Sequence, residues 1–159
     1  MKTLIVYYSE TGNTEKIANA IAELFKIKPV KIEKAAIKTT YDLIFVGTPV
    51  HAMQPNNKVK EFLDKLPSNK IKFGAGFCTM HFAGAKSTLK TISKKMQKKG
   101  IKYIGGFSCK GQSRLFGNLG PRIFIKGRPN KNDIKKAKEF AEKIKRKIEN
   151  ELKKQPKHI

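Results

Sequence analysis

The stretch "YYSETGNTEKIA", Tyr7 to Ala18, decides how the rest of the chain is read. Just ahead of it stands "TLIV", part of an apolar, β-rich run from Thr3 to Tyr8 without polar alternation, the pattern of a strand buried on both faces. Behind it, Ile17, Ile21, Leu24 and Phe25 recur at helical spacing over Asn13 to Phe25, giving a helix one apolar face. The junction holds Ser9, Thr11, Gly12, Asn13 and Thr14. Its glycine permits a tight turn with backbone N–H groups facing inward. The helix start adds unpaired N–H donors and a partial positive charge. With the three hydroxyls, this junction can hold a phosphate without a cationic side chain; Lys16 lies just beyond it. The same residue types also cap a helix with no ligand present, and the residues alone leave both readings open. The junction is neither a Walker loop nor a G-x-G-x-x-G fingerprint, and "GAKST" (Gly84 to Thr88) lacks the Gly-Lys pair of the former.

Outward from this junction, strand and helix patterns alternate. "VKIEK" (Val30 to Lys34), "YDLIFVG" (Tyr41 to Gly47), "IKFGAGFC" (Ile71 to Cys78) and "IKYIGGFSC" (Ile101 to Cys109) read as four further strands. Helices are expected from about Asn56 to Leu66, closed by Pro67, and through Leu89, Ile92 and Met96 to Gly100. A last helix runs from about Lys131 to Leu152, with Asn130 as N-cap and Asp133 favourable in the first turn. Five strands alternating with helices predict an α/β fold: a parallel sheet covered on both faces. The 159 residues suffice for one domain, 1–159, with 153–159 a frayed tail. Residues 110–129 are an irregular segment that either covers the crevice, meets a partner or is a plain surface excursion.

Charge is the unusual feature. Thirty-five Lys and Arg stand against twelve Asp and Glu, a net +23, yet only Arg114, Arg122, Arg128 and Arg146 are arginine. Arginine is the residue for bidentate base and phosphate recognition, so a lysine-dominated excess predicts general electrostatic attraction rather than sequence readout. It could draw acidic proteins, anionic substrates or nucleic acid, the last disfavoured by the lack of an aromatic-studded basic strand. No apolar run approaches the ~20 residues of a membrane span. The apolar N-terminal run is too short for a secretory h-region, which makes the cytoplasm the expected compartment. Cys78 and Cys109, with no C-x-x-C or metal-ligand spacing, fit a reducing compartment and no metal site.

"LIVYYSETGNTEKIANAI" resembles the flavodoxin signature: an apolar strand, a Ser/Thr-x-Thr-Gly-Asn-Thr loop, then a helix rich in alanine and aliphatics. "YDLIFVGTPVHAMQPNNKVKEFLDKL" and "FGAGFCTMHFAGAKSTLKTISKKMQKKG" resemble the family's second and third flavin loops with their helices, and "GGFSCKG" with "KGRPNKNDIKKAKEFAEKI" resembles its C-terminal end. The likeness spans essentially the whole chain. It implies a doubly wound sheet with strand order 2-1-3-4-5 and FMN as cofactor. By this resemblance Ser9, Thr11, Gly12, Asn13 and Thr14 would bind the FMN phosphate. Thr48, Pro49, Val50, His51, Ala52 and Met53 would run along the ribityl chain and one ring face. Thr79, Met80, His81, Phe82, Ala83 and Gly84 would cover the other side. His51 falls where the family often has an aromatic, and with no Trp in the chain Phe82 is the other stacking candidate. Met53 and Met80 read as packing residues. Cys78 and Cys109 would end neighbouring strands, a redox pair or, the stronger reading, two buried core thiols.

The resemblance implies an FMN electron carrier between redox partners, which the basic surface predicts to be acidic proteins of ferredoxin or reductase type. An FMN-dependent NAD(P)H:quinone-type oxidoreductase and an anion- or nucleic-acid-binding module on the same scaffold are the alternatives. No carboxylate lies between Thr48 and Lys60 or between Thr79 and Met96, and Lys86 is near the third loop, so the reduction potential is expected to be less negative than that of acidic flavodoxins. In the family this chain resembles, a glycine in the second loop eases a peptide flip toward the reduced flavin; the second loop here lacks glycine, so the resemblance implies weaker semiquinone stabilisation and more two-electron behaviour.

Overall fold

The computed structural model describes residues 1–112 and 127–154. Strand β1 (Thr3–Tyr7) leads into α1 (Asn13–Phe25). It lies between β2 (Val30–Lys31) and β3 (Tyr41–His51), parallel to both. β3 turns back into a two-residue strand, β4 (Gln54–Pro55), before α2 (Asn57–Asp64). Then follow β5 (Ile71–Met80), α3 (Ala85–Lys98), β6 (Lys102–Lys110) and α4 (Lys131–Lys154). The parallel strands run β2-β1-β3-β5-β6, which is the expected 2-1-3-4-5 order once the antiparallel β4 is set aside.

Two apolar clusters cover the two faces of this sheet. On one face Ile5, Leu43, Phe45, Ala75 and Phe77 meet Ile17 and Ile21 of α1 and Ala137, Ala141 and Ile144 of α4. On the other, Val6, Ile44 and Val46 meet Val59 and Leu63 of α2 and Ile92 and Met96 of α3. Successive strand residues alternate between the clusters, as the period of two requires, and the central strands are apolar on both sides because helices cover both. Each fully buried aliphatic contributes about 1.5–3 kcal/mol through removal from water. Close approach fixes one glycine: a Cβ on Gly47 would lie 2.2 Å from Phe77 ring carbons, so β3 needs glycine where that ring crosses it.

The structure differs from the sequence reading at its margins. "VKIEK" forms only two strand residues and then a 3-10 turn over Ile32–Lys34, because β2 is an edge with a single neighbour and Ile32 turns inward to the core. Among the described residues there are six strands: the five expected parallel ones and the short antiparallel β4, which arises because β3 continues through His51 and pairs back with it. α4 continues through Lys154, two residues into the segment expected to fray. Its start is as expected: the Asn130 side chain accepts from the Asp133 N–H (3.0 Å) and the Asp133 carboxylate accepts from the Asn130 N–H (2.8 Å), satisfying two free donors reciprocally. Most of the 110–129 segment, residues 113–126, lies outside the described residues, as do 155–159. Among the described residues no helix is long and apolar enough to cross a membrane.

Candidate functional site

The β1–α1, β3–β4 and β5–α3 connections converge beyond the C-terminal ends of the parallel strands, where an open doubly wound sheet leaves a crevice. A cavity of about 410 Å3 lies there. It is lined by Ser9, Thr11, Asn13 and Thr14, by Pro49 to Ala52, and by Thr79 and His81.

The first connection is built from backbone. Gly12 is the N-cap of α1 with φ 82°, a left-handed conformation that a side chain makes costly. The first intrahelical bond runs from Lys16 N to Gly12 O (3.0 Å), leaving the N–H groups of the opening turn free of helix acceptors. Asn13 is buried, donating its amide to Thr11 Oγ1 (3.1 Å) and to the Gln112 carbonyl (2.9 Å), and so ties the junction to the end of β6. Gly111 leaves room for that amide, which a Cβ there would meet at 2.8 Å. Thr14 and Thr79, both buried, share a hydroxyl–hydroxyl bond of 2.8 Å. Ser9 differs from its neighbours: its hydroxyl is buried and has no hydrogen-bond partner among the described residues. An orphaned hydroxyl beside free helix-terminal N–H groups is a set of donors lacking an acceptor, and a phosphate oxygen supplies one.

The second connection is a tight hairpin. His51 pairs with Gln54, and between them Ala52 (φ 45°) and Met53 (φ 63°) are both left-handed, the two-residue turn that normally uses Asn-Gly. Neighbouring elements hold this strain in place. Gln54 donates to Ser87 Oγ (3.2 Å) and accepts from Thr91 Oγ1 (2.8 Å) on α3. Thr48, fully buried, accepts from the Asn56 N–H (3.0 Å) and donates to Pro49 O (2.8 Å). Non-glycine residues in left-handed geometry cost about 1 kcal/mol or more each. The double substitution Ala52→Asn/Met53→Gly is therefore expected to stabilise the protein by about 1–2 kcal/mol, a rise in Tm of roughly 2–8 °C by calorimetry. An unchanged or lower Tm would show that the hairpin is not strained.

Of the residues singled out in the sequence, Gly12, Thr48, Met53, Met80, Phe82, Ala83 and Gly84 do not line the cavity. Thr48 acts behind the second loop, as its bonds show. Met53 and Phe82 are exposed at the rim, 57% and 67% respectively. His51 is exposed and lies 3.5 Å from the Glu10 carboxylate, so the first and second connections touch across the mouth. His81 Nδ1 lies 3.4 Å from the Gly111 carbonyl. Glu10 and Gly111 complete the lining and were not singled out, Glu10 because a carboxylate beside an anion cradle carries no favourable signal until its histidine neighbour is known.

The thiols stand on opposite faces of the sheet. Cys109 pairs in register with Thr79, whereas Cys78 is the preceding residue on β5 and faces the other way. Both are buried, and burial pushes each up to about 12, which keeps them protonated and unreactive at neutral pH. They are packing residues. Among the described residues no cluster of His, Cys, Asp or Glu could hold a metal ion.

The flavodoxin domain family matches residues 4–115. The chain is 39% identical over 154 residues to an uncharacterized protein of Methanocaldococcus jannaschii, covering 91% of this chain and 98% of that one. It is 30% identical over 122 residues to a flavodoxin of Maridesulfovibrio salexigens, covering 65% and 82% respectively. An archaeal flavodoxin structure superposes with a TM-score of 0.69 at 20% identity, over 94% of this chain and 99% of that one. A flavoprotein from Lactobacillus acidophilus, solved in complex with FMN, superposes with a TM-score of 0.57 at 24% identity, over 67% and 92%. The chain belongs to the flavodoxin domain family.

Proposed function

We propose that the chain binds FMN and carries electrons between redox proteins. The observation that carries this reading is the buried Ser9 hydroxyl, without a partner among the described residues, beside the N–H groups that open α1. These fit a phosphate, and the cavity's size suits a small cofactor. Ser9, Thr11, Gly12, Asn13 and Thr14 would hold the phosphate. Pro49, Val50, His51 and Ala52 would line one side of the flavin and Thr79 and His81 the other, with Met53 and Phe82 at the exposed rim. Bound there, FMN supplies a ring that takes up and returns electrons. The protein's part is to anchor it, to limit water on one side, and to set the charge around it.

That charge has a measurable consequence. Negative charge grows on the flavin on reduction, and the second and third connections bring no carboxylate, while Lys86 is exposed in the first turn of α3. Among the described residues Glu10 is the one carboxylate lining the cavity, and it faces His51. The two-electron potential is therefore expected to lie about 30 mV or more above that of acidic flavodoxins, equivalent to ~1.4 kcal/mol. Spectroelectrochemical titration checks this, and an equal or lower value would reject it.

The functional reading itself is tested by adding FMN, gel filtering, and scanning absorbance. Yellow protein that does not oxidise NADH or NADPH in the presence of a quinone is the expected result for a carrier. Oxidation of either nucleotide would favour an oxidoreductase, and colourless protein would end the FMN reading.

A further inference from the structure

From Lys65 to Asn132 the chain carries sixteen of its cations, thirteen Lys and three Arg, and none of its twelve acids. This half includes α3 and the third connection. On α3, Lys95 has a carboxylate partner in Asp64 (2.6 Å). Lys86, Lys90, Lys94 and Lys98 are exposed and form no ion pair among the described residues, although Lys58, Lys72 and Lys102 elsewhere are each paired. Four lysines at successive i, i+4 positions repel one another, and Lys86 sits in the first turn, where a cation opposes the helix dipole. α3 carries this cost without an internal use for it; its apolar side, with Ile92 and Met96 fully buried, holds it to the sheet.

The ridge begins beside exposed apolar surface. A Cβ on Gly84 would lie 2.6 Å from Met53 Cα, so the second and third connections are in contact at the start of α3. Met53 and Phe82 there are two of the four exposed large apolar residues among the described ones. An apolar centre with a rim of a single charge is the anatomy of a protein docking surface.

We propose that Phe82, Met53 and the Lys86–Lys90–Lys94 ridge of α3 form a docking surface for an acidic protein. The surface adjoins the crevice, and that the docked protein exchanges electrons there rests on the FMN reading above. Nucleic acid fits less well, because α3 contains no arginine and no aromatic residue with which to read or stack a base.

The test uses an acidic [2Fe–2S] ferredoxin as probe and calorimetric binding as readout, at low and high salt. The variant Lys86→Glu/Lys90→Glu/Lys94→Glu is expected to weaken binding by about tenfold or more. Lys136→Glu/Lys143→Glu/Lys153→Glu on α4 makes the same change in net charge and is expected to weaken it by less than about threefold. Phe82→Ala is expected to lower affinity with little change in salt dependence. Equal losses in both triple variants, or a wild type that does not bind the ferredoxin at low salt, would overturn the proposal. So would a single-stranded oligonucleotide that binds the wild type more tightly than the ferredoxin does and loses that binding in the α3 variant. Circular dichroism and an FMN titration on each variant separate the two readings: colourless wild type defeats the cofactor, whereas yellow wild type with an α3 variant that still binds ferredoxin normally defeats the docking surface alone.

Discussion

Gly12→Asp is expected to lower FMN affinity roughly a hundredfold, while Gly12→Asn costs far less. Gly12 caps α1 at φ 82°, and apart from its two chain neighbours no described residue comes within 4 Å of where a Cβ would stand. Asn and Asp tolerate left-handed geometry better than other L residues, so both variants are expected to fold. They differ in charge. A carboxylate about 5 Å from a phosphate charge, at an effective dielectric of about 20, costs roughly 3 kcal/mol, and every 1.4 kcal/mol is tenfold in affinity. The gap between the variants should narrow as salt rises. Fluorescence titration with FMN measures it. Equal affinities for the two variants would mean that no phosphate approaches this junction, and the functional reading would fall with it.

Phe45→Ala is expected to remove about 3–5 kcal/mol of stability. Phe45 is fully buried on β3, its ring 5.5 Å from Phe25 of α1 and 6.1 Å, edge-on, from Phe140 of α4. Phe140 in turn stacks on Phe107 of β6 at 5.7 Å. One ring therefore joins the first helix, the central strand and the last helix, and its loss leaves a cavity that three elements border. Typical domains hold 5–15 kcal/mol in all, so urea midpoints should fall sharply with little change in slope. Phe45→Leu, which keeps most of the apolar volume, should lose far less. A loss below about 1 kcal/mol for Phe45→Ala would show that the helices close over the gap.

The parts of the fold legible in the sequence are those with local signals. β1 and α1 could be read because an uninterrupted apolar run gives way to helical spacing across a glycine and an asparagine. α4 could be read because Asn130 and Asp133 announce its start and an apolar face continues for the length of the helix. The β3–β4 hairpin was not legible: Ala52 and Met53 adopt a turn that Asn and Gly normally make, and the contacts that hold them there, through Gln54 to Ser87 and Thr91, are about thirty-five residues away in sequence. The residue types of the first connection suggested either a helix cap or an anion cradle, but did not show the buried hydroxyl of Ser9, which depends on the fold around it. Nor could the meeting of Glu10 with His51 be read, since each lies in a different connection. Apolar patterning reports which face a residue takes; it does not report which loop lies opposite.

The bond from Asn13 to the carbonyl of Gln112 crosses ninety-nine positions of sequence. During synthesis β1 and α1 emerge well before Gln112 does, so this clasp waits until ninety-nine further residues have been added. A nascent chain halted before residue 112 would carry the first connection without the closed clasp, so on the FMN reading proposed above the cofactor would be captured only once β6 is in place.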